Sequence, residues 1–289
     1  MTRAQTPRLV ALTAALALAL VAFVSPSPAG AAPTFASADE ATITPGAEMV
    51  TDGAQCTGNF IFTDSVDVYI GYAAHCAGLG AATDTNGCDA GTLPLGTPVE
   101  IENADAPGSL VYSSWGTMQA VGETDPNACD FNDFALVRVD PADHAKVNPS
   151  IPHWGGPTGL NTDGVAAGER VYSYGNSSLR QGLDLLKPRT GISLGSASDG
   201  WTHPVYTVTP GIPGDSGSAF LDAEGRALGV LSTLAIAPLA GSNGVSDLSR
   251  ALDYMAANTD LDAIDLVNGD VAFDGDQLPL GTGTGLGGL

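Results

Sequence analysis

Pro213-Gly214-Asp215-Ser216-Gly217-Ser218 sets a serine between two glycines, where the chain has the freedom for a tight turn rather than a helix or strand interior. Such a turn exposes a hydroxyl and gathers backbone N–H groups around one point. Donors arranged this way stabilise a tetrahedral oxyanion by about 3 kcal/mol each. Gly-Asp-Ser-Gly also occurs in ordinary turns, so the stretch gains chemical meaning only with a base and an acid elsewhere. The best base is His75 in Gly71-Tyr72-Ala73-Ala74-His75-Cys76, where two alanines leave space around the imidazole and Cys76 can lock the loop. His144 in a Pro-Ala-Asp turn, His153 before Trp154 and His203 before Pro204 read as structural or solvated histidines. The acid is expected at Asp133, just before the apolar run Phe134-Ala135-Leu136-Val137, because a carboxylate there is costly to bury without a partner. Asp130 and Asp140 are the alternatives and read as turn residues.

Outward from these segments the pattern is one of short β-like runs broken by Gly, Pro, Asn and Asp. Asn59–Phe62, Val66–Tyr72, Val99–Ile101 and Phe134–Val139 lie in the first half; Arg170–Tyr174, His203–Val208, Ser218–Leu221 and Ala227–Leu231 lie in the second. The chain has 37 glycines and 19 prolines, and this density of strands and turns predicts an all-β barrel or sandwich. Residues 151–164, rich in proline and glycine, read as a connector between halves 43–150 and 165–257. One helix is predicted, capped at Ser246-Asp247, with Leu248, Ala251, Leu252 and Met255 at helical spacing.

The 289 residues carry 32 acidic against 10 basic side chains, a net charge of −22. That balance repels nucleic acid and anionic membrane surfaces. At the N-terminus Arg3 and Arg8 precede the apolar run Leu9–Val24 and the small residues Ala29-Gly30-Ala31, a pattern expected of a signal peptide over 1–31. Its removal leaves a short leader, 32–42, and a chain secreted rather than anchored. Cys56, Cys76, Cys88 and Cys129 then suggest two disulfides. Three pairings exist; the nearest-neighbour one is Cys56–Cys76 with Cys88–Cys129. No C-x-x-C pair is present, so no metal site is expected. Residues 258–289 are acidic and then Gly-rich, and are expected to be loosely ordered. Their six aspartates lack the spacing of a calcium loop. Gly283, Gly285 and Gly288 match a dinucleotide fingerprint with no helix to follow, so no cofactor is expected.

In chain order the candidates run His75, Asp133, Ser216, which differs from the α/β-hydrolase and subtilisin orders. Ala73-Ala74-His75-Cys76, Asn132-Asp133-Phe134-Ala135-Leu136-Val137 and Gly214-Asp215-Ser216-Gly217 together resemble the signature segments of chymotrypsin-like serine proteases, over about Ile43 to Met255. The resemblance is to bacterial secreted members in particular. It implies two packed six-stranded antiparallel β-barrels with a C-terminal helix. It also implies Ser216 as nucleophile, His75 as base and Asp133 as its orienter, with an oxyanion hole from the N–H groups of Gly214 and Ser216. Ser218 stands where the family has glycine, and no Ile-Val-Gly-Gly start is present. Asp215 is therefore expected to pair with an internal arginine, Arg170 or Arg180. The resemblance further implies a pocket formed by Pro210, Pro213, Ser232, Thr233 and Leu234, of small or medium apolar preference. The reading is a monomeric secreted endopeptidase acting on proteins or peptides; an esterase or narrow processing enzyme, and a non-catalytic binding protein, are the alternatives.

Overall fold

A computed structural model describes residues 1–2, 32–80, 85–235, 240–261 and 263–277. The chain divides into Met1–Ala31 and Ala32–Leu289. The expected signal segment and the Gly-rich end therefore fall almost wholly outside the described residues.

The first half forms seven strands: β1 (Glu48–Thr51), β2 (Ala54–Thr57), β3 (Ile61–Thr63), β4 (Val68–Tyr72), β5 (Pro98–Ile101), β6 (Gly108–Ser113) and β7 (Ala135–Arg138). The second half adds β8 (Arg170–Tyr174), β9 (Pro188–Ser193), β10 (Thr202–Thr207), β11 (Ala219–Leu221), β12 (Ala227–Ala235) and β13 (Ser242–Asp247), with β14 (Asp265–Leu266) near the end. Helices are α1 (Ser114–Val121), α2 (Pro126–Phe131) and α3 (Leu248–Asn258). Strands β8 to β13 close into a six-stranded antiparallel barrel, in the order β10-β13-β12-β11-β8-β9. Its small interior is filled by residues that include Val171, Val205, Phe220, Leu228 and Val245.

The first half is one curled sheet of eight strands, ordered β14-β3-β4-β7-β6-β5-β1-β2, rather than a six-stranded closed barrel. The extra strand comes from the tail: Asp265 and Leu266 pair with Thr63 and Phe62 of β3. Every residue of β4 is buried because β3 and β7 flank it and the core lies against it. Phe62 meets Phe134 edge-on, 5.7 Å between centroids.

The expectation of a loose tail thus fails over the described residues. Asp270 accepts hydrogen bonds from Asn148 and from the Ser150 hydroxyl (2.6 Å). Phe273 packs edge-to-face with Tyr172, which packs edge-to-face with the buried Trp154. The acidic composition concealed these few anchoring contacts. The predicted helix is α3, capped by the Asp247 carboxylate on the Arg250 N–H. Helices α1 and α2 were not foreseen; both are short, and α1 is held by packing of Trp115 and Met118 more than by amphipathic pattern.

Candidate active site

His75 leaves β4 on a single 3-10 turn, Ala74–Ala77, whose alanines are fully buried and leave no room for larger side chains. The Cys56–Cys76 disulfide ties this turn to β2. Asp133 lies between α2 and β7, and Cys88–Cys129 fastens α2 to the loop between β4 and β5. The nearest-neighbour pairing of the four cysteines is the one present. The two site residues then meet twice. The His75 backbone N–H donates to Asp133 Oδ1 (2.9 Å), and His75 Nδ1 lies 2.6 Å from Oδ2. The Ser232 hydroxyl donates to the same Oδ2 at 2.6 Å, and the Asp133 N–H donates to the Ser246 hydroxyl.

These contacts set the protonation states. Burial pushes the Asp133 carboxyl up, but the His75 charge and the hydrogen bonds from His75 and Ser232 outweigh it, so the net displacement is downward. Burial pulls His75 down; the Asp133 charge and hydrogen bond more than offset this and hold its pKa above the ordinary value. An ionised carboxylate only accepts, so the neutral ring carries its proton on Nδ1 and leaves Nε2 as a lone-pair base.

Ser216 lies half-buried on a cavity of about 520 Å³ that His75, Asp133 and Gly214 also line. Its backbone is set by the preceding turn, in which the Asp215 N–H donates to Ile212 O and Gly214 has φ +94°. Gly217 follows at φ +87°, and a Cβ there would lie 2.5 Å from Thr57 O, so only glycine fits. Among the described residues, neither the Gly214 nor the Ser216 N–H makes a hydrogen bond. Two free donors and a hydroxyl thus share a cavity with a neutral imidazole, a set that can carry out acyl transfer.

Asp215 is fully buried beneath this turn. Arg180 Nη2 reaches its Oδ2 at 2.5 Å and Arg189 Nη1 at 3.4 Å, while the Ser177 and Ile212 N–H groups complete its shell. Of the two arginines offered by the sequence, Arg180 makes the contact; Arg170 is exposed on β8. Arg189 was missed, although a lone arginine within a strand of uncharged residues was a visible signal. Burial and the neighbouring Arg180 push its pKa down to about 10 against the attraction of Asp215, so it stays charged at neutral pH.

Of the residues named for the pocket, Pro213, Ser232, Thr233 and Leu234 line this cavity and Pro210 does not. The Pro210 carbonyl instead accepts from Arg180, which draws it toward the buried cluster. Leu234 is 55% exposed and so edges the mouth of the cavity rather than filling it. Asn243, which no sequence signal marked, also lines the cavity and bonds both Gly211 and the Thr233 carbonyl. Cys56, His75 and Cys76 cluster as metal ligands would, but both sulfurs are spent in the disulfide, and no thiolate is available.

No protein-family model matches this chain, and no curated protein matches it in sequence. Solved structures are similar to it in fold. Protease A of Thermobifida fusca superposes with a TM-score of 0.50 at 18% identity, covering 78% of this chain and 99% of that one. The chymotrypsin of Cellulomonas bogoriensis gives 0.46 at 17% identity, covering 78% and 98%. A Nocardiopsis protease gives 0.46 at 19%, also covering 78% and 98%. The fold is that of the bacterial chymotrypsin-like serine proteases.

Proposed function

We propose that the chain is a secreted serine endopeptidase working through an acyl-enzyme on Ser216. The observation that carries the reading is the His75–Asp133 pair on one cavity with Ser216 and the unpaired N–H groups of Gly214 and Ser216. Ser216 Oγ attacks the substrate carbonyl carbon as its proton passes to His75 Nε2. The oxyanion takes the two N–H donors, and Asp133, which stays ionised, stabilises the imidazolium. The C–N bond then breaks, and His75 returns the proton to the leaving amine. Water repeats the sequence on the acyl-enzyme and frees the acid. Two disulfides suit an oxidising compartment, and no described helix is long and apolar enough to cross a membrane. Together with the N-terminal pattern they support export. A single chain already contains every group the mechanism uses.

The test is turnover of a denatured protein, a peptide-anilide library and small activated esters by residues 32–289, with Ser216→Ala beside it. Cleavage of protein and peptide by the wild-type chain alone is expected, with a preference for apolar residues of small or medium size. Ester turnover without peptide cleavage would replace endopeptidase by esterase, and equal rates from the variant would remove Ser216 from the chemistry.

A further inference from the structure

Ile212–Asp215 is a β-turn closed by the Asp215 N–H on Ile212 O (2.9 Å), with proline at its second position and Gly214 third at φ +94°. Those features define a type II turn. Type I and type II differ by reversal of the central peptide, here Pro213–Gly214, and glycine can occupy both. The direction of that one peptide decides whether the Gly214 N–H faces the cavity. Its carbonyl has a partner: the Ser177 hydroxyl donates to Pro213 O at 2.6 Å. In a trans peptide the C=O and N–H point oppositely, so a carbonyl held by Ser177 turns the Gly214 N–H away from Ser177, and that N–H has no acceptor among the described residues.

We infer that Ser177 is a positioning residue for the reaction: its hydroxyl holds the Pro213–Gly214 peptide in the orientation that offers the Gly214 N–H to the oxyanion. This inference rests on the hydrolase reading of the same site. Ser177 is well anchored for the task. It is 4% exposed, its N–H donates to Asp215 Oδ1, and its hydroxyl accepts the Leu179 N–H as cap of the turn Ser178–Arg180. Three residues on, Arg180 grips the same Asp215. The next carbonyl along, Gly214 O, is held by the Thr57 hydroxyl from the other half of the molecule. A side chain at 214 would crowd both Ser177 Oγ and Gln55 Oε1, each 2.9 Å from an ideal Cβ, so glycine at φ +94° leaves the Ser177 hydroxyl its place. Without the Ser177 hydroxyl the peptide is free to turn over, and the oxyanion loses one of two donors.

The experiment is Ser177→Ala and Ser177→Thr in residues 32–289, with kcat and KM on a peptide anilide, thermal midpoints, and crystal structures. Removing one such donor costs about 100- to 1,000-fold in kcat. We expect a fall of at least about tenfold for Ala with KM within about twofold, because the peptide would still visit the productive orientation. Thr, which keeps the hydroxyl, should restore kcat. If Ala does not fold, Ser177→Cys, close in size but a weak donor, should show the same kcat-selective loss. Wild-type kcat in the folded Ala variant overturns the inference, as does a loss shared by kcat and KM with the peptide unmoved in the crystal. A wild-type chain without turnover would contradict the proposed function instead. The crystal of the Ala variant then decides alone, a reversed Pro213–Gly214 peptide supporting the inference and an unmoved one overturning it.

Discussion

Two Asp–His pairs among the described residues have nearly equal length. His75 Nδ1 meets Asp133 at 2.6 Å, and His203 Nε2 meets Asp247 at 2.7 Å. A serine belongs to each neighbourhood: Ser216 on the same cavity as His75, and Ser196 with its hydroxyl 3.0 Å from His203 Nδ1. The pairs differ in what their second nitrogen faces. The His75 side chain is 27% exposed on the cavity, with Nε2 left for chemistry. His203 is fully buried, and both its nitrogens are engaged. Ser196 also bonds the Val165 backbone, and Asp247 caps α3. One pair stands open to the cavity, as the proposed base must; the other is a rivet joining β10, the β13–α3 junction and the loop at Val165. Residue types and distances alone do not separate the two, and access does.

Substitution separates them most sharply. His75→Ala should lower kcat by about 1,000-fold or more while the protein stays folded, since Asp133 keeps the Ser232 hydroxyl and the residue-75 N–H. A variant of wild-type rate would make the open pair as structural as the buried one. A larger structural effect is expected beneath the serine. Asp215→Ala strands two buried guanidinium groups and should cost about 3–5 kcal/mol in urea unfolding. Next comes His203→Ala, which loses a charged hydrogen-bonded partner and should destabilise by about 1.5–3 kcal/mol, with kcat of the folded protein unchanged. A selective loss of rate in that variant would erase the distinction drawn between the pairs.

The smallest effect is in pH. The proposed mechanism needs neutral His75, and Asp133 holds its proton on, so the rate should rise with pH through a midpoint above roughly 6.5. In Asp133→Asn the carboxylate no longer favours the imidazolium, so the midpoint of the much reduced residual rate should move down. A midpoint that stays in place would mean that another group titrates.

Much of this site could be read from the sequence because its determinants are local. Ala73-Ala74-His75-Cys76 and Gly214-Asp215-Ser216-Gly217 each encode a turn, and their glycines and alanines are required by close packing. The disulfide pairing followed from proximity along the chain. The supports were hidden because they are long-range. Ser232 reaches Asp133 across 99 residues, Ser177 reaches Pro213 across 36, and Thr57 reaches Gly214 across 157. A serine or threonine has no pattern that distinguishes a free hydroxyl from an anchoring one. β14 was lost for a similar reason: two residues of pairing carry no periodicity, and the surrounding aspartates dominate the composition.

The most direct test of Ser216 as an activated nucleophile is the intact mass of residues 32–289 after treatment with a fluorophosphonate, beside Ser216→Ala. Nucleophile, base and oxyanion donors must all be assembled for the reagent to add. We expect one adduct on the wild-type chain and none on the variant. A folded wild-type chain that takes no adduct, or a variant that takes the same one, would contradict it.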